Sequence, residues 1–386
     1  MSLNDILNRR VSPDANRHAG WVELFFDLAF VALIAVAVHV PHDNPPPGTI
    51  LVFVLLLFPP WWAWINLTAT INLFGADSLR TQAFLIAAMP GIAMFAIAMP
   101  AALGDLGWLF ALGGAWIRLI LFVAWLLPII IDGVQIGLWR PLSYGLATSL
   151  IWLASIAVPA EWRWGFWLAS IVIEAVLLAI PSGMTSSFYG IIGVTHLVER
   201  LGLFLVIVVG ESVYLIIVGL SNHPSVLGGV AGIASFLLIA LLARAAFLYG
   251  LRTLEERLII AQQKRRFRII RDSTMYLPFF IIAALALASA AIGAAVREPE
   301  TPLPQGEQTM LLVGVLGFYF TNAIASLQLG ETISRIVRWL LPAIAIIVMC
   351  GWVSTNLPSW LHITVFAAGV VVVSLISLFR NRAGTR

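Results

Sequence analysis

Long apolar runs alternate with short polar breaks along almost the whole chain. A helix that crosses the hydrocarbon core of a bilayer needs about 20 mostly apolar residues. By that length the pattern predicts segments near 21–40, 49–73, 82–103, 107–131, 142–159 and 164–181. Six more follow near 200–220, 227–250, 276–296, 309–330, 337–356 and 359–379. Most breaks are short and carry Pro, Gly, Asn or Asp, as in Pro45-Pro46-Pro47, Gly104-Asp105 and Asn356–Ser359, so sequence neighbours should run antiparallel. Trp162, Trp164 and Trp167 read as an interfacial belt and blur the ends of the fifth and sixth segments. The expected fold is all-α, a polytopic transmembrane bundle of about twelve helices.

The segments divide six and six, which suggests halves at 1–190 and 191–386 of one membrane domain. Val22-Glu23 opens the first segment and Val198-Glu199 the seventh; Asp77-Ser78 precedes the third and Asp272-Ser273 the ninth. An even number of spans per half would make such repeats parallel.

Composition agrees with lipid as the main solvent. Hydrophobic residues make up 61% of the chain and charged residues 11%, with mean hydropathy +0.98, whereas a soluble domain carries roughly 25% charged residues. The lone cysteine, Cys350, excludes an intrachain disulfide framework and any multi-cysteine metal site, and reads as a small core hydrophobe. The pI near 9.3 does not indicate nucleic acid, because the chain has no basic domain and Lys264 is its one lysine. Residues 1–20 are polar and lack an apolar core, so no cleaved signal peptide is expected.

The basic residues instead encode topology. With the N-terminus in the cytoplasm, 18 of the 22 Lys and Arg fall on cytoplasmic segments. Arg163 and Arg297 fall outside, and Arg118 and Arg244 within spans. That asymmetry predicts an inner-membrane protein with both termini cytoplasmic. The stretch Lys264, Arg265, Arg266, Arg268, Arg271 lies on the longest cytoplasmic loop, expected to be helical from about Leu251. It is either a topology determinant or a contact for anionic lipid headgroups, at about 1 kcal/mol per basic residue.

Ionisable side chains near the bilayer centre cost about 2.5–3.5 kcal/mol each on insertion scales and often mark substrate or ion pathways. Glu211, Glu174 and Arg118 each fall about midway along their segments. Arg118 can neutralise one of the two acids, leaving the other free to carry a proton or meet a cation. Asp27 and Arg244 lie at matched depth, roughly six residues from the cytoplasmic ends of their segments, and suggest an interhelical charge pair. Glu23 is one turn from Asp27 on the same face. Glu23, Glu199 and Arg200 lie nearer the interface, where a structural role is expected.

Trp21–Ile34 (WVELFFDLAFVALI) and Thr195–Ile216 (THLVERLGLFLVIVVGESVYLI) carry a family resemblance. The chain resembles the bacterial low-temperature-requirement A (LtrA) family, which opens with an E-L-F-F-D-L helix and later carries H-x-x-E-R-F-G-L-F…L-G-E-S. Glu23 to Leu28 match the first motif, Asp27 included. His196, Glu199, Arg200, Gly202, Leu203, Phe204, Gly210, Glu211 and Ser212 match the second; Leu201 and Val209 depart from it but stay apolar. Trp61–Leu67 (WWAWINL) resembles the family's Trp-rich second helix. The resemblance implies a multi-pass membrane fold and carries no biochemical activity with it.

No P-loop, HExxH, GxSxG or GxGxxG motif is present, so an enzyme of soluble type is not expected, and no cofactor is implied. His39, His42, His223 and His362, with Asp43, map to the external side, but their spacing matches no metal-ligand motif, and no metal site is expected. The leading expectation is a secondary transporter of a small solute or lipid-like molecule, working by alternating access around midplane carboxylates. An intramembrane lipid-acting enzyme or sensor, and a structural membrane factor, stand as alternatives.

Overall fold

The computed structural model describes residues 20–39, 45–74, 78–133, 137–179, 189–190, 192–222 and 224–383. Among them the chain is helical throughout and forms no strand, with one isolated bridge between Pro302 and Pro358. Among the described residues, eleven helices are long and apolar enough to cross a membrane. We label the helices α1 (Trp21–His39), α2 (Pro47–Phe74), α3 (Leu79–Ala98) and α4 (Gly107–Ile131). Next come a composite helix α5 (139–157), α6 (Ala160–Ala179), α7 (Val194–Asn222) and α8 (Val226–Ala245). The rest are α9 (Arg252–Gln263), α10 (Phe267–Arg271), α11 (Leu277–Arg297), α12 (Gln305–Gln328), α13 (Ile333–Ser354) and α14 (Ser359–Ala383).

The fifth expected segment differs from the others in kind. It is helical, but it passes from an α turn at Trp139–Pro141 into a π turn at Leu142–Ala147, then Thr148–Ala154, then a 3₁₀ turn. Pro141 supplies no amide hydrogen, and π turns re-aim the side chains they contain. Here the turn holds Tyr144, whose hydroxyl donates to Asn66 Oδ1 on α2 at 2.6 Å. Two further π turns follow: Ala246–Leu251 after α8, and Asp272–Tyr276, which joins α10 to α11, so the helical run entering the ninth expected segment begins at Phe267.

Polarity is inverted relative to a soluble protein. Trp21, Leu79, Val226 and Trp352 are at least 80% exposed, while Arg200 is wholly buried and Glu23, Asp27 and Glu174 nearly so. Apolar side chains outside and ions inside is the arrangement lipid demands. With the eleven spans it defines a multi-pass membrane protein.

The residues group into two compact units, one of 1–40, 55–201 and 258–271, the other of 41–54, 202–257 and 272–386. This interleaved division differs from a single cut at 190. In the first unit, α3 and α4 meet through glycine: a Cβ on Gly113 would come within 2.8 Å of the Gly91 carbonyl. Gly114 lies flat against Trp152, where a Cβ would sit 2.2 Å from the ring. Small residues of this kind let helices approach closely where lipid offers no hydrophobic drive. Trp152 stacks on Trp167 at 5.5 Å, with Phe95 and Phe110 closing the cluster. In the second unit, α11 is buried almost all round, which suits its Ala-rich sequence with no polar face. Its partner α12 presents Gly314, whose Cβ would be 2.7 Å from the Ala284 carbonyl. The segment after α11 is tied to α14, with Ser359 N–H donating to the Thr301 carbonyl at 2.9 Å.

Candidate functional site

Both family-motif segments place their ionisable residues one helical turn apart, Glu23 with Asp27 on α1 and His196 with Arg200 on α7. Residues four apart share a face, so two such pairs can meet as a ladder of two rungs. In the first unit they do. Arg200 forks onto Asp27, Nη2 to Oδ1 at 2.6 Å and Nε to Oδ2 at 3.1 Å. His196 Nε2 lies 3.2 Å from Glu23 Oε2. A diagonal ion contact joins the rungs, Arg200 Nη1 to Glu23 Oε1 at 3.3 Å.

Side chains from α2 complete the cluster. Trp64 Nε1 donates to Asp27 Oδ1 at 2.7 Å, and the Arg200 guanidinium lies 5.7 Å from the centre of the Trp64 ring. Asn72 Nδ2 lies 3.1 Å from His196 Nδ1. The Gly20 amide donates to Glu23 Oε2 at 2.8 Å. Glu23, Asp27 and Arg200 are at most 2% exposed and His196 is 8% exposed. The cluster thus holds two carboxylates, one permanent cation and one imidazole. With a neutral imidazole its formal charge is −1, and with an imidazolium it is zero.

A second buried pair in the same unit is balanced. Arg118 forks onto Glu174, Nε to Oε1 at 2.5 Å and Nη2 to Oε2 at 3.2 Å. Trp62 Nε1 donates to Glu174 Oε2 at 2.5 Å, and Ser170 Oγ donates to Oε1 at 3.3 Å. Arg118 also donates to the Gly114 carbonyl at 3.1 Å and lies 4.6 Å from the centre of the Trp152 ring. Trp62 and Trp64 are therefore the two tryptophans of α2 that reach buried carboxylates, one in each cluster.

The structure gives several predicted residues different company from that expected. Both carboxylate oxygens of Asp27 are taken, by Arg200 and Trp64, and Arg244 is exposed on α8. Of the two acids available to Arg118, Glu174 is its partner. Glu211 is buried on the part of α7 in the second unit, next to Ser212, which shares a 2.5 Å hydrogen bond with Ser289. Glu199 is half-buried. Arg200 and Glu23, expected near the interface, are buried in the cluster.

Lys264, Arg265, Arg266 and Arg268 are exposed and Arg271 is half-buried. The turn between α9 and α10 places Arg265 in the left-handed region, φ 52°. Of the histidines expected on the external side, His39 is exposed, and His362 is buried with its Nδ1 donating to the Ser354 carbonyl at 3.0 Å. His42, His223 and Asp43 lie outside the described residues. Sequence reasoning missed Asn72 and Trp64; the Trp-rich motif pointed to α2, but nothing in it identified which side chains face the acids.

Fold and site together define a multi-pass, all-α membrane protein whose two sequence motifs meet in one buried ionic cluster. The chain belongs to the bacterial low temperature requirement A protein (LtrA) family, whose model matches residues 18–376. It is 26% identical over 218 residues to the uncharacterized protein RA0937 of Rhizobium meliloti (strain 1021), covering 53% of this chain and 52% of that protein. The chain thus spans about half the length of the curated relative it matches. No solved structure matches it.

Proposed function

We propose that this protein is a proton-coupled secondary transporter of a small solute or lipid-like molecule. It resides in the bacterial inner membrane, with both termini cytoplasmic. The observation that carries the reading is the charge imbalance of the Glu23–Asp27–His196–Arg200 cluster. Interhelical polar contacts in membranes average only about 0.6 kcal/mol, against about 2.5–3.5 kcal/mol to insert each ion. Scaffolding is thus a poor return for four such groups, and a buried −1 charge favours taking up a proton. Glu211 is the second carboxylate assigned to transport, which proceeds by alternating access. The reaction carried out is translocation without covalent chemistry.

A structural role is favoured for Arg118 and Glu174 by a specific observation: a bidentate contact reinforced by Trp62 and Ser170, with opposite charges in equal number. The exposed turn at Lys264, Arg265 and Arg266, with Arg268 and Arg271 after it, is proposed to meet anionic lipid headgroups on the cytoplasmic side.

Glu23→Gln tests the transport reading. It preserves size and can still accept from His196, but leaves Asp27 and Arg200 balanced without a proton. Growth at low temperature of a strain lacking this protein should not be restored by the variant, although it accumulates in the membrane as the parent does. Full restoration would overturn the reading.

A further inference from the structure

The Asn72 amide has its two ends fixed by one backbone residue. Its Oδ1 accepts from the Gly193 amide at 2.7 Å, and its Nδ2 donates to the Gly193 carbonyl at 3.0 Å. A backbone N–H can only donate and a carbonyl can only accept, so this assignment follows from Gly193 rather than from choice. The second Nδ2 hydrogen then faces His196 Nδ1 at 3.1 Å. Nδ1 is therefore an acceptor. The neutral imidazole carries its hydrogen on Nε2 and donates it to Glu23 Oε2 at 3.2 Å.

We propose that His196 Nδ1 is the atom at which the cluster takes up its proton, and that Asn72 couples its loading to the anchoring of α7. This deepens the proton-coupled reading above and rests on it for its physiological use. The charged and titratable groups around the imidazole are Glu23 and Asp27 from α1, Arg200 one turn along α7, and Glu199 three residues along it. From α2 the polar neighbours are Asn72 and Trp64. His196 is the least buried member of the ladder, and Gly193 beside it is exposed, so the Nδ1 side is the one nearest water.

Loading adds one proton from water to the Nδ1 lone pair, and release returns it; no bond to carbon changes. The loaded cluster has two carboxylates against a guanidinium and an imidazolium, and is neutral. The cost falls on Asn72. An Nδ1–H facing the Asn72 NH₂ sets donor against donor, so the amide must turn its oxygen toward the imidazolium. The turned amide then faces Gly193 with like against like and loses both hydrogen bonds there. Gly193 immediately precedes the first residue of α7, Val194. Proton uptake thus releases the start of α7 from α2, and proton loss re-anchors it. Asn72 is the positioning residue that sets this exchange.

Histidine ¹⁵N NMR of the full chain in lipid nanodiscs tests the proposal, with His196 assigned from the signal lost in His196→Gln. The parent should show the neutral His196 as the Nε2–H tautomer. In Asn72→Asp, an oxygen faces Nδ1 in place of the NH₂, and the Nε2–H tautomer of the parent should be lost in favour of a protonated Nδ1. If Asn72→Asp fails to fold, Gly193→Ala serves instead. Its added Cβ would lie 3.3 Å from Asn72 Oδ1, shifting the amide by a few tenths of an ångström and weakening the hold of the Nε2–H tautomer. A neutral Nδ1–H tautomer in the parent, or an unchanged tautomer in the variant that folds, would overturn the proposal. The expected tautomer together with full cold growth of Glu23→Gln would leave the proton site standing and remove transport. The wrong tautomer with growth lost would do the reverse.

Discussion

Two buried ion clusters sit in the same unit, each touched by a tryptophan of α2, yet they differ in arithmetic. Arg118 and Glu174 are one against one, with their hydrogen bonds supplied by Trp62, Ser170 and the Gly114 carbonyl. The motif ladder is two carboxylates against one guanidinium, with an imidazole able to make up the difference. A balanced pair has nothing to gain from a proton. An unbalanced one has a reason to bind one, and burial magnifies the reason because low dielectric strengthens every uncompensated charge. Balance therefore separates a structural contact from one fit for exchange.

The largest effect should come from removing the shared cation of the ladder. Arg200→Ala strands two buried carboxylates, and folded yield in detergent should fall further than in Arg118→Ala, which strands one. Breaking one buried pair costs about 3–5 kcal/mol. If Arg118→Ala proved the more damaging, the contrast would be reversed. Next in size is the coupling of Asp27. A double-mutant cycle with Arg200 should give a large interaction energy. Glu211→Gln should accumulate as the parent does while failing to restore cold growth; full growth would remove Glu211 from the proposed mechanism. The smallest effect concerns the basic turn. Replacing Lys264, Arg265 and Arg266 by Gln should reduce the thermal stabilisation given by added anionic lipid, each residue contributing about 1 kcal/mol. An unchanged response would leave those residues as topology determinants alone.

Most of the fold was legible because a spanning helix announces itself by length and apolarity, as Gly107–Ile131 does at its predicted bounds. The exception, 139–157, is instructive: its apolar run predicts a span, but Pro141 and the demand of Tyr144 for Asn66 bend the local winding. For the site, the four-residue spacings of Glu23 with Asp27 and of His196 with Arg200 were visible on each helix separately. What joins them is the adjacency of α1 and α7, and sequence depth supplies only one of the coordinates needed to find it. Asn72 was beyond reach for a further reason. Its role arises from Gly193, which lies 121 residues away along the chain.

The contrast between the clusters is tested most directly by measuring cold growth and folded yield side by side for Glu23→Gln and for the double variant Arg118→Leu with Glu174→Leu. Replacing a buried pair with apolar residues of similar volume is often neutral, so the double variant should fold and restore growth. Glu23→Gln should fold equally well and fail to restore it. Growth restored by Glu23→Gln, or lost in a well-folded double variant, would contradict the assignment of exchange to the motif ladder and structure to the balanced pair.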